Sequence, residues 1–302
     1  MGCASATRAL FDAQGHRGAR GLLPENTLPA FERAIALGVT TLELDVGMTR
    51  DGVVVVSHDP ALSPKVCLQP DGTTLAGERG PLLRDLDWDT LRRYDCGSLN
   101  PDPQRFPEPP RENRPGTPMP TLDQVFALAE RDADLRFNVE TKIRPGDRET
   151  VPAEAMVRAV VERVREHGLQ SRVSIQSFDW RALVQTRALA PEIETVALVA
   201  PDTLEPEWLA GLEPDASNPL ALFREARPFL DSVSPHWRML VAENGPALPL
   251  AGLQAEGFRV VPWTVNDPET LRRLVRLGVD GLISDYPDRL MQVLREEGVP
   301  VR

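Results

Sequence analysis

The sequence predicts an α/β fold with a largely parallel sheet, and three observations support this prediction. Short apolar runs typical of strands alternate with amphipathic stretches typical of helices over most of the chain. The length, 302 residues, suits a single barrel of alternating strands and helices. Hydrophobic residues make up 41% and charged residues 26%, which is ordinary for a globular protein with its own core. We therefore expect one domain over residues 1–302.

The first clear helix is predicted over residues 28–37. Asn26 or Thr27 is the candidate N-cap, because either side chain accepts a hydrogen bond from the free N–H groups at a helix start. Gly38 would end the helix, since glycine readily adopts the left-handed conformation found there. Apolar residues at helical spacing form the predicted inner face: Leu28, Phe31, Ala34 and Ile35.

Nine apolar runs are candidate strands, one more than an eight-stranded barrel requires. The first lies just before His16, and the others are 41–46, 53–57, 135–140, 173–176, 195–199, 232–234, 259–263 and 281–284. Further helices are predicted over 122–131, 153–167, 180–189 and 268–277. The surplus strand lies within 41–57, where about six residues link two strands, too few for a helix. Its second strand is either a hairpin return or a helix-free crossover, and both alternatives stay open.

Residues 60–120 interrupt the alternation of strands and helices. Eight prolines fall between Pro101 and Pro120, and Gly, Asp and Asn are frequent. A structureless loop of that length is unusual, so we predict an inserted subdomain. Insertions that follow a barrel strand lie at its catalytic face. Cys67 and Cys96 both fall in this region, and a disulfide between them is one possibility if the protein is exported.

The acidic composition excludes nucleic acid as an expected partner. The net charge is −11 and the pI is about 5.0, whereas phosphate backbones are bound mainly by clustered Lys and Arg. An acidic protein that acts on an anionic substrate needs a local positive charge, from a bound cation and a few basic side chains.

No membrane span is expected, because the sequence has no run of eighteen apolar residues. The first residues, MGCASATRALFDAQGHRG, lack the basic-then-apolar pattern of a signal peptide. The cellular compartment stays open: the cytoplasm if the chain begins as written, the periplasm if a signal peptide has been removed. The sequence does not indicate an oligomeric state.

Two of the four histidines end apolar runs, His16 after FDAQG and His58 after VVVVS. Between them, Glu43 and Asp45 lie two residues apart in the predicted strand TLELDV, so they project to the same face. Two carboxylates on a buried face cost several kcal/mol unless a cation neutralises them. Such hard oxygen ligands favour Mg²⁺ or Ca²⁺, with Mn²⁺ as a further candidate, over zinc.

A third carboxylate, Glu140, ends the apolar run RFNVE, and Lys142 follows two positions later. The alternation of a strand again places both on one side. We expect Glu140 to complete a metal site and Lys142 to face a phosphoryl oxygen.

The stretch GHRGARGLLPENTLPAFERAIALGVTTLELDVGMTRDGVVVVSHDP resembles the start of the glycerophosphodiester phosphodiesterase family. It contains the HRG, PENT, ELDV, DG and HD elements in the family's order and spacing. The later stretches NVETK, IQSFDW, VPWTVND and GLISDYP are similar to later family motifs, so the resemblance covers about residues 11–288. It implies a (β/α)₈ TIM barrel with its active site at the carboxyl ends of the strands.

The resemblance also implies roles for individual residues. It gives the metal ligands as Glu43, Asp45 and Glu140, and the paired acid and base as His16 and His58. The groups that contact phosphate are Arg17 and Lys142, with Glu25 of PENT orienting the arginine. The substrate-side wall is Gln176, Phe178 and Trp263.

The implied reaction is hydrolysis of a small glycerophosphodiester to sn-glycerol 3-phosphate and an alcohol. A glycerol hydroxyl next to the phosphate attacks first, and water opens the resulting cyclic phosphate. Two histidines suit this chemistry, because one removes a proton and the other protonates the leaving alkoxide near neutral pH. Which histidine is the base in the first step stays open. Of the remaining histidines, His167 lies at a predicted helix end and is interpreted as structural. His236 has no assigned role.

Two alternatives remain. A lysophospholipase D-like or phospholipase C-like enzyme of the same barrel group would accept a lipid and expose an apolar rim. Only 5% of the residues are aromatic, and the insertion contains just Trp88, Tyr94 and Phe106, which disfavours this alternative. A catalytically inactive barrel that binds phosphate esters would have lost a histidine or a carboxylate, and all of them are present.

Overall fold

The computed structural model describes residues 10–100, 103–104, 106, 110–241 and 247–301. Eight parallel strands form a nearly closed barrel, which confirms the predicted α/β barrel. With one additional antiparallel strand, β3, the described strands are β1 Asp12–Gly15, β2 Thr41–Met48, β3 Val54–Val56, β4 Arg136–Thr141, β5 Val173–Ser177, β6 Glu194–Val199, β7 Ser232–Pro235, β8 Arg259–Val260 and β9 Gly281–Ser284.

The strand order around the barrel is β8-β7-β6-β5-β4-β2-β1-β9. Backbone hydrogen bonds connect the segment after β8 to β9 and so join the two ends of this strand order. Ile283 N–H donates to Pro262 O at 3.1 Å, and Val265 N–H donates to Ile283 O at 3.0 Å. The carboxyl ends of all eight parallel strands therefore face one mouth of the barrel.

Strand β3 lies outside the barrel path. It pairs with β2 in antiparallel register, with Val46 opposite Val56. The surplus strand of the sequence is thus a hairpin return, and the alternative of a helix-free crossover is wrong.

The helices lie between the strands: α1 Leu28–Leu37, α2 Trp88–Leu91, α3 Leu122–Phe126, α4 Ala153–Glu166, α5 Trp180–Leu189, α6 Pro219–Ala226, α7 Arg238–Val241, α8 Leu250–Ala255, α9 Pro268–Leu277 and α10 Pro287–Glu296. Short 3₁₀ turns cover Leu83–Asp85, Ala127–Glu130 and Pro201–Thr203. Of the two candidate caps of α1, Thr27 is the N-cap, because its side chain accepts from Ala30 N–H, and Gly38 ends the helix with φ 92°.

Two predicted elements are shorter than expected. The helix predicted over 122–131 is α-helical only to Phe126 and continues as a 3₁₀ turn to Glu130. Strand β8 spans two residues rather than the predicted 259–263. Pro262 interrupts that run, since proline has no N–H to donate to a neighbouring strand.

Two hydrophobic clusters hold the described part of the molecule together. The larger fills the layer between the barrel strands and the surrounding helices and includes Phe31, Leu44, Phe137 and Trp180. The smaller lies largely within residues 60–120. Its buried members are Val55, Leu62, Cys67, Leu75, Leu83, Leu91, Cys96 and Met119. This separate cluster supports the proposal that residues 60–120 form an inserted subdomain.

A disulfide joins Cys67 and Cys96 inside the smaller cluster, across 29 residues of chain. The pairing raised as one possibility by the sequence is therefore present in the structure. Cys3 and the rest of residues 1–9 lie outside the described residues. Among the residues that are described, none forms a helix long and apolar enough to cross a membrane.

Candidate active site

Three carboxylates converge at the mouth of the barrel. Strand β2 carries Glu43 and Asp45 on one face, and Asp45 lies opposite Glu140 in the register of β2 with β4. Oxygen atoms from the three side chains all lie within 4.8 Å of one another, and all three residues are buried. The alternation of strand side chains therefore creates a compact oxygen cluster.

This cluster is electrostatically unfavourable without a positive charge. Burial raises the pKa of the Glu43 carboxyl, and the charges of Asp45 and Glu140 raise it further. Burial likewise raises the pKa of Glu140. The pKa of Asp45 is held well below its usual range, because Arg17 and Lys142 outweigh the effect of burial.

The three side chains fit a divalent cation. Asp45 Oδ1 is buried and accepts no hydrogen bond, so one ligand atom is left for another partner. Carboxylate oxygens suit Mg²⁺, Ca²⁺ and Mn²⁺. Glu43, Asp45 and Glu140 would hold the ion, as the sequence predicts.

Arg17 lies in a tight turn that follows β1. Its φ of 49° is unusual for a residue with a side chain. In this conformation its backbone N–H donates to Glu43 Oε2 at 2.9 Å, while its Nε lies 3.1 Å from Asp45 Oδ2. The next residue, Gly18, has φ 85°, and a Cβ there would lie 2.7 Å from the backbone of Ala30. The turn can therefore pack against α1 only with glycine at this position.

Glu25 binds two arginines beside the carboxylate cluster. Arg17 Nη1 and Arg20 Nε each donate to it at 2.6 Å. Burial raises the pKa of Glu25, but the two arginines outweigh it and lower the pKa to about 2. Its neighbour Asn26 has φ 55°, and its Nδ2 donates to Asp45 Oδ2 at 2.8 Å. The PENT stretch therefore orients both an arginine and a cluster carboxylate.

His16 is held by a carboxylate from the far end of the chain. Its Nδ1 lies 2.5 Å from Oδ1 of the buried Asp285, and its Nε2 lies 3.9 Å from Glu43 Oε2. Asn266 Nδ2 donates to the other Asp285 oxygen at 2.7 Å. Burial lowers the pKa of His16, although Asp285 acts in the opposite direction. The lowered pKa favours the neutral imidazole. Because an ionised Asp285 can only accept a hydrogen bond, Nδ1 carries the hydrogen in this form and Nε2 is free to accept a proton.

His58 and Lys142 lie on the other side of the cluster. His58 Nδ1 contacts Asp59 Oδ1 at 2.7 Å, and its side chain remains 30% exposed. Lys142 Nζ donates to Glu140 Oε1 at 2.7 Å and lies 3.7 Å from Asp45 Oδ1. The lysine thus supplies positive charge at the edge of the cluster.

The predicted substrate wall is built from three residues of different strands and loops. Phe178 and Trp263 meet edge to face with ring centroids 5.4 Å apart, and Trp263 Nε1 donates to Ser234 O at 2.8 Å. Gln176 also lines the cleft, but its Nε2 donates to Glu43 Oε1 at 2.8 Å. It therefore positions a carboxylate of the cluster as well as forming part of the wall.

Every site residue predicted from the sequence except Asp45 lines one open cleft of about 470 Å³. The other two histidines lie outside its lining. His167 contacts Asp123 at 2.8 Å near the end of α4, and His236 lies between Trp237 and Trp263. Neither contacts the carboxylate cluster.

Sequence reasoning missed four polar residues of this site. Asp285 and Asn266 lie in the stretches GLISDYP and VPWTVND, but nothing local indicates a histidine partner. Arg20 lies two residues after HRG and Asn26 lies within PENT, so their polar side chains in or near these motifs were the available signal.

The comparisons with known proteins agree with this geometry. The model of the glycerophosphoryl diester phosphodiesterase family matches residues 16–289. The chain belongs to this family. Its members are phosphoric diester hydrolases, and the matched range contains every residue of the cleft named above. A glycerophosphodiester phosphodiesterase from Caldanaerobacter subterraneus subsp. tengcongensis is 30% identical over 287 residues, which cover 94% of this chain and 97% of that protein.

Two solved structures are similar over nearly the whole chain. One is a Silicibacter pomeroyi DSS-3 protein assigned as a glycerophosphoryl diester phosphodiesterase, with TM-score 0.83 and 30% identity over 97% of this chain and 96% of that chain. The other is a phosphodiesterase from Oleispira antarctica in complex with the product sn-glycerol 3-phosphate. Its TM-score is 0.72 and its identity 25%, and the match covers 95% of this chain and 97% of that chain.

Proposed function

We propose that this phosphodiesterase hydrolyses small glycerophosphodiesters to sn-glycerol 3-phosphate and an alcohol, in a reaction that needs a divalent cation and two histidines. The observation that carries the proposal is the meeting of Glu43, Asp45 and Glu140 with His16 and His58 at one barrel mouth. The product bound to the Oleispira relative supports the substrate class.

A divalent cation held by the three carboxylates would mask the negative charge of the phosphodiester. Arg17 and Lys142 line the cleft beside the cluster, so their positive charges would also mask the charge of the phosphodiester. Glu25 fixes the Arg17 guanidinium through a hydrogen bond at its Nη1, so the positive charge is oriented before the substrate binds.

We assign His16 as the base of the first step and His58 as the acid. His16 has the neutral imidazole of a base, and Asp285 stabilises the positive charge that it acquires on taking the proton of the attacking hydroxyl. His58 is the more exposed of the two and lies where the cleft opens toward a second groove, so it can protonate the departing alcohol. In the second step the two exchange roles, and His58 removes a proton from water.

The test is release of sn-glycerol 3-phosphate from glycerophosphocholine, with chelator and with Mg²⁺, Ca²⁺ or Mn²⁺ restored. We expect chelator-sensitive release, and a loss of about 10²–10⁴ in turnover for His16→Ala and for His58→Ala. Turnover close to wild type in either variant would remove that histidine from the mechanism.

The same assay with lysophosphatidylcholine separates this function from the lysophospholipase D-like alternative. Among the described residues, the cleft lining combines many charged side chains with two large aromatic ones, Phe178 and Trp263. We therefore expect the water-soluble diester to be hydrolysed faster than the lipid. Faster release from the lipid would favour the alternative.

A further inference from the structure

A second groove of about 720 Å³ opens from the catalytic cleft on the side of His58. The two share part of their lining, namely His58, Asp59, Ser63 and Lys142. A diester bound at the carboxylate cluster therefore has room for a substituent in each direction. One substituent would face the wall of Phe178 and Trp263, and the other would enter this groove.

The far part of the groove lies between the inserted subdomain and the loop after β4. Arg79 of the insertion and Glu149 of the loop form an ion pair, in which Arg79 Nη2 donates to Glu149 Oε2 at 2.6 Å. Both side chains are more than 40% exposed, so the pair contributes little to stability. The pair instead connects the two walls of the groove, which come from parts of the chain 70 residues apart.

The charges that remain free in the groove are mostly negative. Four carboxylates line it, of which Asp59 contacts His58 and Glu149 is paired with Arg79, so those of Glu78 and Asp147 remain. Among the basic lining residues, Arg79 and Lys142 are paired, the latter with Glu140, and Arg144 is the one remaining cation of the described lining. The half-buried Trp208 adds an indole, and an indole attracts cations through its π system.

We propose that this groove binds the leaving alcohol and that Glu78, Asp147 and Trp208 select an alcohol that carries a positive charge. The class of substrate is then a glycerophosphodiester of an amino alcohol. This inference rests on the proposed hydrolysis of glycerophosphodiesters. A neutral polyol also fits the groove but gains nothing from the carboxylates' charge, and an anionic alcohol is repelled by them.

The experiment compares two substrates that differ only in the leaving alcohol. Glycerophosphocholine carries a cationic one, and glycerophosphoglycerol a neutral one. KM and kcat for release of sn-glycerol 3-phosphate are measured for the wild type, Glu78→Gln and Trp208→Leu. We expect each substitution to raise KM for glycerophosphocholine about two- to tenfold, with kcat little changed, and to leave KM for glycerophosphoglycerol unaltered. Glu78 is exposed, so Glu78→Gln preserves the fold.

Glu225→Gln is the matched control, because it makes the same change of charge on α6, outside the lining of the groove. If Glu78→Gln and Trp208→Leu raise KM equally for both substrates, or for neither, the groove does not select a cationic alcohol. The proposed hydrolysis of glycerophosphodiesters is not contradicted by that result. Failure of the wild-type enzyme to release sn-glycerol 3-phosphate from both substrates overturns the proposed function, and this inference with it.

Discussion

At the scale of single residues, the contact between His16 and Asp285 joins two groups that are 269 positions apart in the chain. Asp285 is fully buried, and its contact with His16, the charge of Arg20 and the hydrogen bond from Asn266 hold its pKa below the usual range in spite of burial. The lowered pKa favours the ionised carboxylate. A permanent acceptor at Nδ1 fixes the tautomer of His16 and leaves Nε2 as the basic atom.

We predict that Asp285→Asn lowers kcat by about 10²–10⁴, as expected when a base loses the carboxylate that orients it. The carboxylate raises the pKa of His16, so its removal lowers that pKa. The acidic limb of the profile of kcat/KM against pH should therefore move to lower pH in the variant. The measurement is a pair of pH profiles for the wild type and Asp285→Asn.

Calorimetric titration with Mg²⁺ controls for a general structural effect, because Asp285 is not among the three clustered carboxylates. We expect the metal affinity of Asp285→Asn to remain within about threefold of wild type. A variant with unchanged kcat and an unshifted pH profile would show that Asp285 does not position the base.

The metal carboxylates could be predicted from the sequence, whereas their supporting partners could not. Glu43 and Asp45 are neighbours on one strand, so the two-residue period of a strand places them together without knowledge of the fold. Asp285 reaches His16 only after the barrel closes between its first and last strands, and Asn266 in turn donates to Asp285. Contacts of this kind depend on tertiary structure, and no local pattern encodes them.

At the scale of elements, prediction succeeded where capping signals are strong. Both bounds of α1, α5 and α9 agree with the sequence, and each of these helices begins at a side-chain N-cap, namely Thr27, Asp179 and Asp267. Helices α6 and α10 were missed, although each begins with proline at its first position, a start signal in the sequence. Their apolar residues were not recognised as helical stripes.

The proposed inserted subdomain, residues 60–120, contains most of the smaller hydrophobic cluster and the disulfide between Cys67 and Cys96. We predict that the double variant Cys67→Ser, Cys96→Ser loses about 2–4 kcal/mol of unfolding free energy, since the bond closes a loop of 29 residues. Ser63, Lys65 and Val66 of this subdomain line the catalytic cleft, so KM should also rise. Denaturant unfolding and steady-state kinetics measure the two effects.

Cys3→Ser serves as the control for loss of a single sulfur. A denaturation midpoint of the double variant equal to that of the control would show that the bond does not hold the subdomain in place.

At the scale of the whole molecule, the chain carries a net charge of −11 yet concentrates basic groups at its catalytic mouth. Arg17 and Arg20 bind the nearly buried Glu25 and lower its pKa from 4.5 to about 2. A carboxyl whose pKa is lower in the folded state than in the unfolded state stabilises the fold at every pH above its unfolded-state pKa. This stabilisation is lost as the pH falls through the folded-state pKa.

We predict that Glu25→Gln lowers the unfolding free energy by about 3 kcal/mol at pH 7, because 1 pKa unit corresponds to about 1.4 kcal/mol. The difference from wild type should shrink as the pH falls from about 5 toward about 2, where Glu25 of the wild type becomes protonated. Denaturant unfolding at several pH values measures the difference. A difference that is independent of pH would show that the ion pairs of Glu25 do not stabilise the fold.

The central claim is that Glu43, Asp45 and Glu140 form a cation site on which hydrolysis depends. The most direct measurement is calorimetric titration of metal-free wild type and Glu43→Ala with Mg²⁺ and Ca²⁺, followed by release of sn-glycerol 3-phosphate from the same samples. We expect the wild type to bind one divalent ion and to become active, and Glu43→Ala to lose both tight binding and activity. Unchanged affinity in Glu43→Ala, or full activity in the presence of chelator, would contradict the account.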